Sequence, residues 1–333
     1  MKYGFVLHNY SANIGDDIQT YAAKRFLPHI DYRILREKID GFESKADEPV
    51  AAIVNGWFMF KKWSWPPAPQ ILPLFIGFHY STHPRTQMGY DYLASGAGQE
   101  YMKIHGPIGC RDLYTQNELE KLGIPAYFSG CVTLTLPNMP KTQQDREYIC
   151  LVDTAEDVAD FVRQQVAGHD IDVKAVTHKK PRDTTERWGV REKRVKELLT
   201  LYQNAKCVFS SRIHCTLPCL ALGTPVLHIG DTIDEQRFIP YVNMVHYSTR
   251  GDLISGKTAF SALAPPENPD AYKPYRDDII RRIVDFIDQM EALQPLAAKA
   301  RTEQVSRQEI LQWQNTLMED TLSKFQKKLN TRL

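Results

Sequence analysis

Short apolar runs alternate with amphipathic stretches twice in this chain, on either side of one polar, proline-flanked segment, Pro137 to Asp145. An apolar run bounded by turn residues reads as a buried strand, and a longer stretch of helical period reads as a helix. Strands that alternate with helices need crossover connections, which build parallel sheets covered by helices. In the first run, strands are expected at Tyr3–His8, Tyr32–Leu35, Ala51–Val54, Leu72–Phe78 and Gly106–Cys110. A strand or strand pair is expected from Tyr127 through Leu136. Helices are expected at Asp16–Leu27, at residues 90–104, and from the cap Asp112 to Leu122, with Gly123 and Pro125 ending the last. Residues 56–70, rich in tryptophan and proline, read as irregular.

The second run gives strands at Tyr148–Val152, Ile171–Val176, Cys207–Phe209, Pro225–Ile229 and Met244–Tyr247. Helices fall at Ala155–Ala167, Val190–Gln203 and Cys215–Leu222, and from Tyr275 onward. This is an α/β pattern of two Rossmann-like domains facing a cleft, with C-terminal helices. The expected units are residues 1–140, residues 146–270, and residues 271–333 packing back on the N-terminal half.

A length of 333 residues with 43% hydrophobic and 24% charged content supports cores of that size. Lys plus Arg number 41 against 40 Asp plus Glu, a net charge of +1, so no nucleic-acid partner is expected and anion recognition must be local. The chain opens directly on a strand, with no secretion signal and no apolar run of the ~18 residues a membrane span needs, so the expected location is the cytoplasm. Six cysteines sit in apolar contexts without a Cys-x-x-Cys pair and read as buried small hydrophobes, so no metal site is expected. The first turn, Asn13-Ile14-Gly15-Asp16-Asp17, has one glycine and no dinucleotide fingerprint, and no Walker loop occurs, so no cofactor is expected.

Chemistry concentrates where strands end and helices begin. Ser210-Ser211-Arg212-Ile213-His214 places a permanent cation and a proton carrier at one such point, and Gly109-Cys110-Arg111-Asp112 repeats the logic at another. Two arginines at two strand tips suit an anion with two negative groups, whereas either alone also fits a surface ion pair. Asp16 and Asp17 head a helix, where one caps it and the other faces the cleft as a base. His79 follows an apolar strand and can reach the same cleft. Trp57, Trp63 and Trp65 fit either the apolar face of a sugar or a core anchor. Lys179, Lys180 and Arg182 form a basic loop that is either solvated or attracts an anionic acceptor.

Three segments together resemble the polysaccharide pyruvyl transferase family: Asn13-Ile14-Gly15-Asp16-Asp17-Ile18-Gln19, then Gly109 to Asp112 with Ser129-Gly130-Cys131, then Ser210 to His214 through Gly223-Thr224-Pro225-Val226. The resemblance implies a glycosyltransferase-B-like fold. It implies transfer of pyruvate from phosphoenolpyruvate onto two sugar hydroxyls, forming a ketal in a surface polysaccharide or its precursor. It puts the acceptor on residues 1–140 and the donor on residues 146–270. It implies donor binding and catalysis by Arg111, Arg212 and His214, with His79 at the donor; the chemistry of ketal formation itself makes His214 the acid or base and Asp16 or Asp17 a second base. The acceptor is then a glycan or a lipid- or nucleotide-linked sugar, for which Trp57, Trp63 and Trp65, read from the residues alone, are the candidate contacts if they are not core anchors; a lipid-linked one is compatible with peripheral membrane association. Asn55-Gly56-Trp57-Phe58 and Gly130-Cys131-Val132 depart from the glycine-rich turn and the Gly-Asp-Pro of many relatives. The sequence leaves open a glycosyltransferase using a nucleotide sugar, a non-catalytic glycan-binding protein, and the oligomeric state.

Overall fold

A computed structural model describes residues 1–58, 65–80, 96–138, 140–142, 147–180, 183–230 and 238–293. The first half forms a six-stranded sheet of β1 (Lys2–Leu7), β2 (Tyr32–Leu35), β3 (Val50–Trp57), β4 (Ile71–His79), β5 (Ile108–Cys110) and β6 (Ala126–Phe128). Every pairing is parallel, in the order β2-β1-β3-β4-β5-β6. Its helices are α1 (Ile14–Lys24), α2 (Gly96–Ile104) and α3 (Leu113–Lys121). The second half forms a five-stranded parallel sheet of β7 (Glu147–Val152), β8 (Ile171–Val176), β9 (Cys207–Ser210), β10 (Val226–Gly230) and β11 (His246–Thr249), in the order β11-β10-β9-β7-β8. Helices α4 (Glu156–Gln165), α5 (Trp188–Asn204), α6 (Ile213–Leu222) and α7 (Arg250–Ile254) belong to it, and α8 (Lys273–Ala292) follows.

The inner strands of both sheets are buried on both faces, so alternate residues feed different cores. Tyr3, Phe5 and Leu7 of β1 join one apolar cluster and Val6 joins another. Tyr148, Cys150 and Val152 of β7 face away from Ile149 and Leu151 in the same way. The cluster that takes Tyr3 and Val152 runs continuously through α1 and α6, so the two halves share one interior. A 3-10 turn at Val132–Thr135 packs against both α1 and α6 at this junction. Helix α8 lies against the first half: Tyr275 meets Phe128 at 5.3 Å, and the Tyr3 hydroxyl donates to Glu291 at 2.5 Å.

In each sheet the chain winds outward in both directions from a switch point, between β1 and β3 in the first and between β7 and β9 in the second. Ligands in such sheets bind beyond the carboxyl ends of the strands flanking that point. The two switch points face each other. The backbone bridges them, with Ile14 N–H donating to His178 O at 2.9 Å and Lys180 N–H to Ala12 O at 2.8 Å. The architecture is therefore two Rossmann-like layers facing one cleft, a glycosyltransferase-B-like arrangement. No helix among the described residues is long and apolar enough to cross a membrane.

Some elements differ from the expectations. The strand from Tyr127 stops at Phe128; Gly130, at a φ of 74°, turns the chain, and Val132 and Leu134 become buried in the 3-10 turn. Val132 and Leu134 are two positions apart, as on a strand, which hid the turn in the sequence. Gly56 and Trp57, placed in an irregular stretch, extend β3 together with Asn55, with a register shift at Gly56. The helix expected from Asp16 starts at Ile14, because Asn13 is its cap: Asn13 Oδ1 accepts from Gly15 N–H at 2.9 Å. The C-terminal stretch from 294 lies outside the described residues.

Candidate anion site between the two sheets

A cavity of about 460 Å³ opens where the two switch points meet. Its wall includes Asn13, Asp16, Trp57, His79 and Arg111 from the first half, and His178, Lys179, Arg212 and His214 from the second. The two arginines, the two histidines, Asp16 and Trp57 singled out in the sequence thus share one enclosure.

Arg111 extends from the end of β5 and is only 3% exposed. Its Nη1 lies 3.3 Å from Gln19 Oε1 and 3.4 Å from His214 Nε2. Its Nε has no hydrogen-bond partner, and no ion pair to it exists among the described residues. Asp112 is next in sequence, but its carboxylate is engaged elsewhere. A buried guanidinium without a carboxylate costs several kcal/mol, roughly, unless an anion joins it. Arg212 is the N-terminal boundary residue of α6 and is partly exposed, and its Nε donates to Asp153 Oδ2 at 2.7 Å. Among the described residues no side chain caps α6, so this helix presents its positive end to the cavity.

His214 is buried at the start of α6, over Gly15 of α1. An arginine N–H can only donate, so Nε2 of His214 accepts the bond from Arg111 in this geometry. A Cβ on Gly15 would lie 2.8 Å from His214 Nδ1 and 2.9 Å from its Cβ. Gly15→Ala is therefore expected to displace the imidazole and lower turnover by about 10- to 100-fold, with little change in melting temperature. Steady-state kinetics beside a thermal melt checks this; wild-type turnover in the variant would show that the ring position is unimportant.

Asp16 reaches the cavity wall, accepting from the hydroxyl of Ser11 and from Gln19 Nε2 at 3.1 Å. Burial alone would raise its carboxyl, but His8, Arg36 and His214 bring it down to about 2. It is an anion at neutral pH and a weak base. Asp17, the other carboxylate proposed as a base, is fully buried between Arg191 Nη2 and Lys180 Nζ and is absent from the cavity wall. This corrects the sequence reading. A helix turns about 100° per residue, so adjacent carboxylates leave α1 in different directions. Asp17 on α1 thereby ties the first half to the second. Asp17→Asn leaves two cations short of their counter-charge, at a cost of about 3–5 kcal/mol. The melting temperature is expected to fall by about 4–7 °C in a chain of 333 residues. A shift within 2 °C, roughly, would contradict the tie.

His79 sits at the end of β4, with Nδ1 2.5 Å from Asp112 Oδ2 and 3.3 Å from Thr115 Oγ1. Asp112 also caps α3, accepting from Thr115 N–H at 2.8 Å. Burial opposes ionisation of Asp112, but the His79 bond and the nearby Arg111 charge hold its carboxyl below the usual range. An imidazole bonded to a carboxylate through Nδ1 has its orientation fixed. Of the tryptophans, Trp57 borders the cavity. Trp65 does not: it is buried among Phe58, Phe75, Phe78 and Tyr101, which corrects its reading as an acceptor contact. Trp63 lies outside the described residues. In the basic loop, Lys179 borders the cavity, Lys180 is taken up by Asp17, and Arg182 lies outside the described residues.

Arg36, His178 and His228, which the sequence did not single out, also line the cavity. Each stands within or close behind the end of a strand, so the strand-tip rule used for Arg111 and Arg212 would have found them. Arg36 is bound to Glu37 at 2.6 Å and to Trp57 O at 2.9 Å. His178 bonds the Tyr202 hydroxyl at 2.7 Å, and His228 bonds Thr216 Oγ1 at 2.8 Å and stacks on Phe238. Burial holds His178 down at about 4 and His228 at about 3, so both are neutral near pH 7. The six cysteines are buried and unbridged, and no group of three His, Cys, Asp or Glu in metal-binding geometry occurs among the described residues.

Fold and site together define a two-layer α/β protein whose cleft sets an unpaired buried guanidinium, a second arginine and an imidazole around space for a small anion. The family model for polysaccharide pyruvyl transferase matches residues 13–231, well over half of the 333. The chain belongs to the polysaccharide pyruvyl transferase family and is a transferase of polysaccharide biosynthesis. No curated protein matches the sequence. Among solved structures, it is similar to a functionally uncharacterised protein, KP1_0663, from Klebsiella pneumoniae, with 12% identity, a TM-score of 0.45, and 74% of this chain and 93% of that one covered. It is also similar to UDP-GlcNAc 2-epimerase of Methanocaldococcus jannaschii in complex with UDP-GlcNAc and UDP, with 11% identity, a TM-score of 0.43, and 85% and 99% covered.

Proposed function

We propose that the cleft binds phosphoenolpyruvate and transfers its pyruvyl group to two hydroxyls of one sugar, giving a ketal and inorganic phosphate. The observation that carries this reading is Arg111, a buried cation lacking a carboxylate, in the same cavity as Arg212 and His214. Phosphoenolpyruvate has a carboxylate and a phosphate, and one guanidinium for each is the matching arrangement. The second half supplies Arg212 and the α6 terminus to the donor. The first half offers Trp57 and Asp16 to the sugar.

The chemistry runs in two additions at one carbon. A proton moves from the His214 imidazolium to the methylene carbon, which becomes a methyl group, and the adjacent carbon becomes an oxocarbenium centre. One sugar hydroxyl adds there and returns its proton to His214. The bond to phosphate oxygen then breaks, with Arg111 and Arg212 stabilising the leaving charge. The second hydroxyl adds to the new oxocarbenium, and its proton leaves with phosphate. Asp16, ionised at neutral pH and weakly basic, stabilises the positive centre rather than removing a proton. Donor anions that occupy Arg111 release His214 Nε2 to carry the proton it needs.

The test is phosphate release from phosphoenolpyruvate with a panel of diol-bearing glycans, free and carrier-linked. Release only with a suitable glycan, and a fall of about 100-fold or more in His214→Asn, is the expected result. Release of a nucleoside diphosphate from a nucleotide sugar instead would identify a glycosyltransferase.

A further inference from the structure

The structure points to a further positioning residue, and we propose that Asp153 fixes the orientation in which Arg212 grips the donor anion. The inference rests on the donor reading above. Asp153 follows β7 at the switch point of the second sheet, with a φ of 50°, in the left-handed region that few residues other than glycine, asparagine and aspartate enter. Its own atoms do not border the cavity, but three of its partners do. Oδ2 accepts from Arg212 Nε at 2.7 Å and from His178 N–H at 3.1 Å. Oδ1 accepts from Thr177 Oγ1 at 2.6 Å, and the carbonyl accepts from Ser211 Oγ at 2.8 Å. Asp153 N–H donates to Val176 O at 3.0 Å. One strained residue therefore joins the tips of β7, β8 and β9.

The position of this carboxylate argues for orientation over affinity. A negative charge against Arg212 weakens the attraction of that arginine for an anion. A strained backbone conformation adds a further cost. What both secure is a guanidinium held through Nε, whose plane is fixed and whose two Nη groups form a ready edge for a bidentate anion. Burial opposes ionisation of Asp153, but the bonds from Thr177, His178 and Arg212 keep its carboxyl below the usual range, so the grip is charged at neutral pH.

Charge and orientation predict opposite signs, which makes the claim testable. Asp153→Gly keeps the left-handed backbone and removes both the charge and the grip. Asp153→Asn also tolerates that backbone, removes the charge, and keeps an oxygen that can accept from Arg212. Phosphoenolpyruvate affinity is read by calorimetry beside thermal melts of the full chain. Asp153→Gly is expected to bind about 10-fold more weakly or worse, against the electrostatic trend, with Asp153→Asn equal to or tighter than wild type. Lower melting temperatures with wild-type affinity in both variants would reduce Asp153 to a structural clip and overturn the proposal. Tighter binding by both would overturn it too, since charge alone would then govern. If wild-type protein fails to bind phosphoenolpyruvate, the donor reading fails and carries this inference with it.

Discussion

Arg111→Met abolishes pyruvyl transfer and leaves the protein at least as heat-stable as wild type. The loss is expected to reach about 1,000-fold in kcat/KM, the scale of roughly 4 kcal/mol for a buried charge contact to a reacting anion. Stability moves the other way. Arg111 is 3% exposed, its Nε is unsatisfied, and its Nη1 meets only an amide oxygen and an imidazole nitrogen among the described residues. Methionine fills much of the same space and removes the unpaired charge, and such exchanges of buried ionic groups are often neutral or stabilising. Initial rates and a melting curve on one preparation check both halves. A melting temperature several degrees lower would mean that the guanidinium supports the fold, and its role as an anion receptor would lose its main argument.

Acid is expected to begin destabilising the protein above the range in which its carboxylates titrate. His8, His178 and His228 are each at most 2% exposed, and burial lowers them to about 3, 4 and 3, respectively. In the unfolded chain each takes up a proton near its ordinary value of 6.5. Between 6.5 and about 4 the unfolded state therefore holds more protons than the folded one, and stability falls as pH falls. Each histidine contributes a slope of about 1.4 kcal/mol per pH unit, so the three together remove about 4 kcal/mol per unit. Asp16, lowered from 3.8 to about 2, adds its loss only below that window. Against a total of about 5–15 kcal/mol, unfolding is expected between pH 5 and 4, roughly. Thermal melts from pH 8 to 4.5 should show a plateau above pH 6.5 and a steep fall below it. A melting temperature unchanged down to pH 5 would contradict the account.

The fold was legible where period and punctuation agreed. Tyr3–His8, Tyr148–Val152 and Ile171–Val176 lie within a residue of the observed strands β1, β7 and β8 because short apolar runs there have clear turn boundaries. Val132–Thr135 was not legible, since two apolar residues two positions apart fit a strand as well as a buried 3-10 turn, and only contact with α1 and α6 decides. At the site, Arg111 and Arg212 could be placed from local sequence because a parallel strand delivers its next residue to the carboxyl edge of the sheet. Asp17 could not. Its partners Lys180 and Arg191 lie far along the chain, in the other half, and adjacency to Asp16 says nothing about which carboxylate turns inward. Trp65 was equally opaque, because an aromatic ring suits a core and a sugar face alike until its neighbours are known.

The most direct measurement is a crystal structure of the full chain soaked with phosphoenolpyruvate. The donor is expected between the two sheets, its two anionic groups divided between Arg111 and Arg212, and its methylene carbon facing the His214 ring. Donor density bound elsewhere, or a cavity in which Arg111 turns away from the anion toward a protein carboxylate, would contradict this placement.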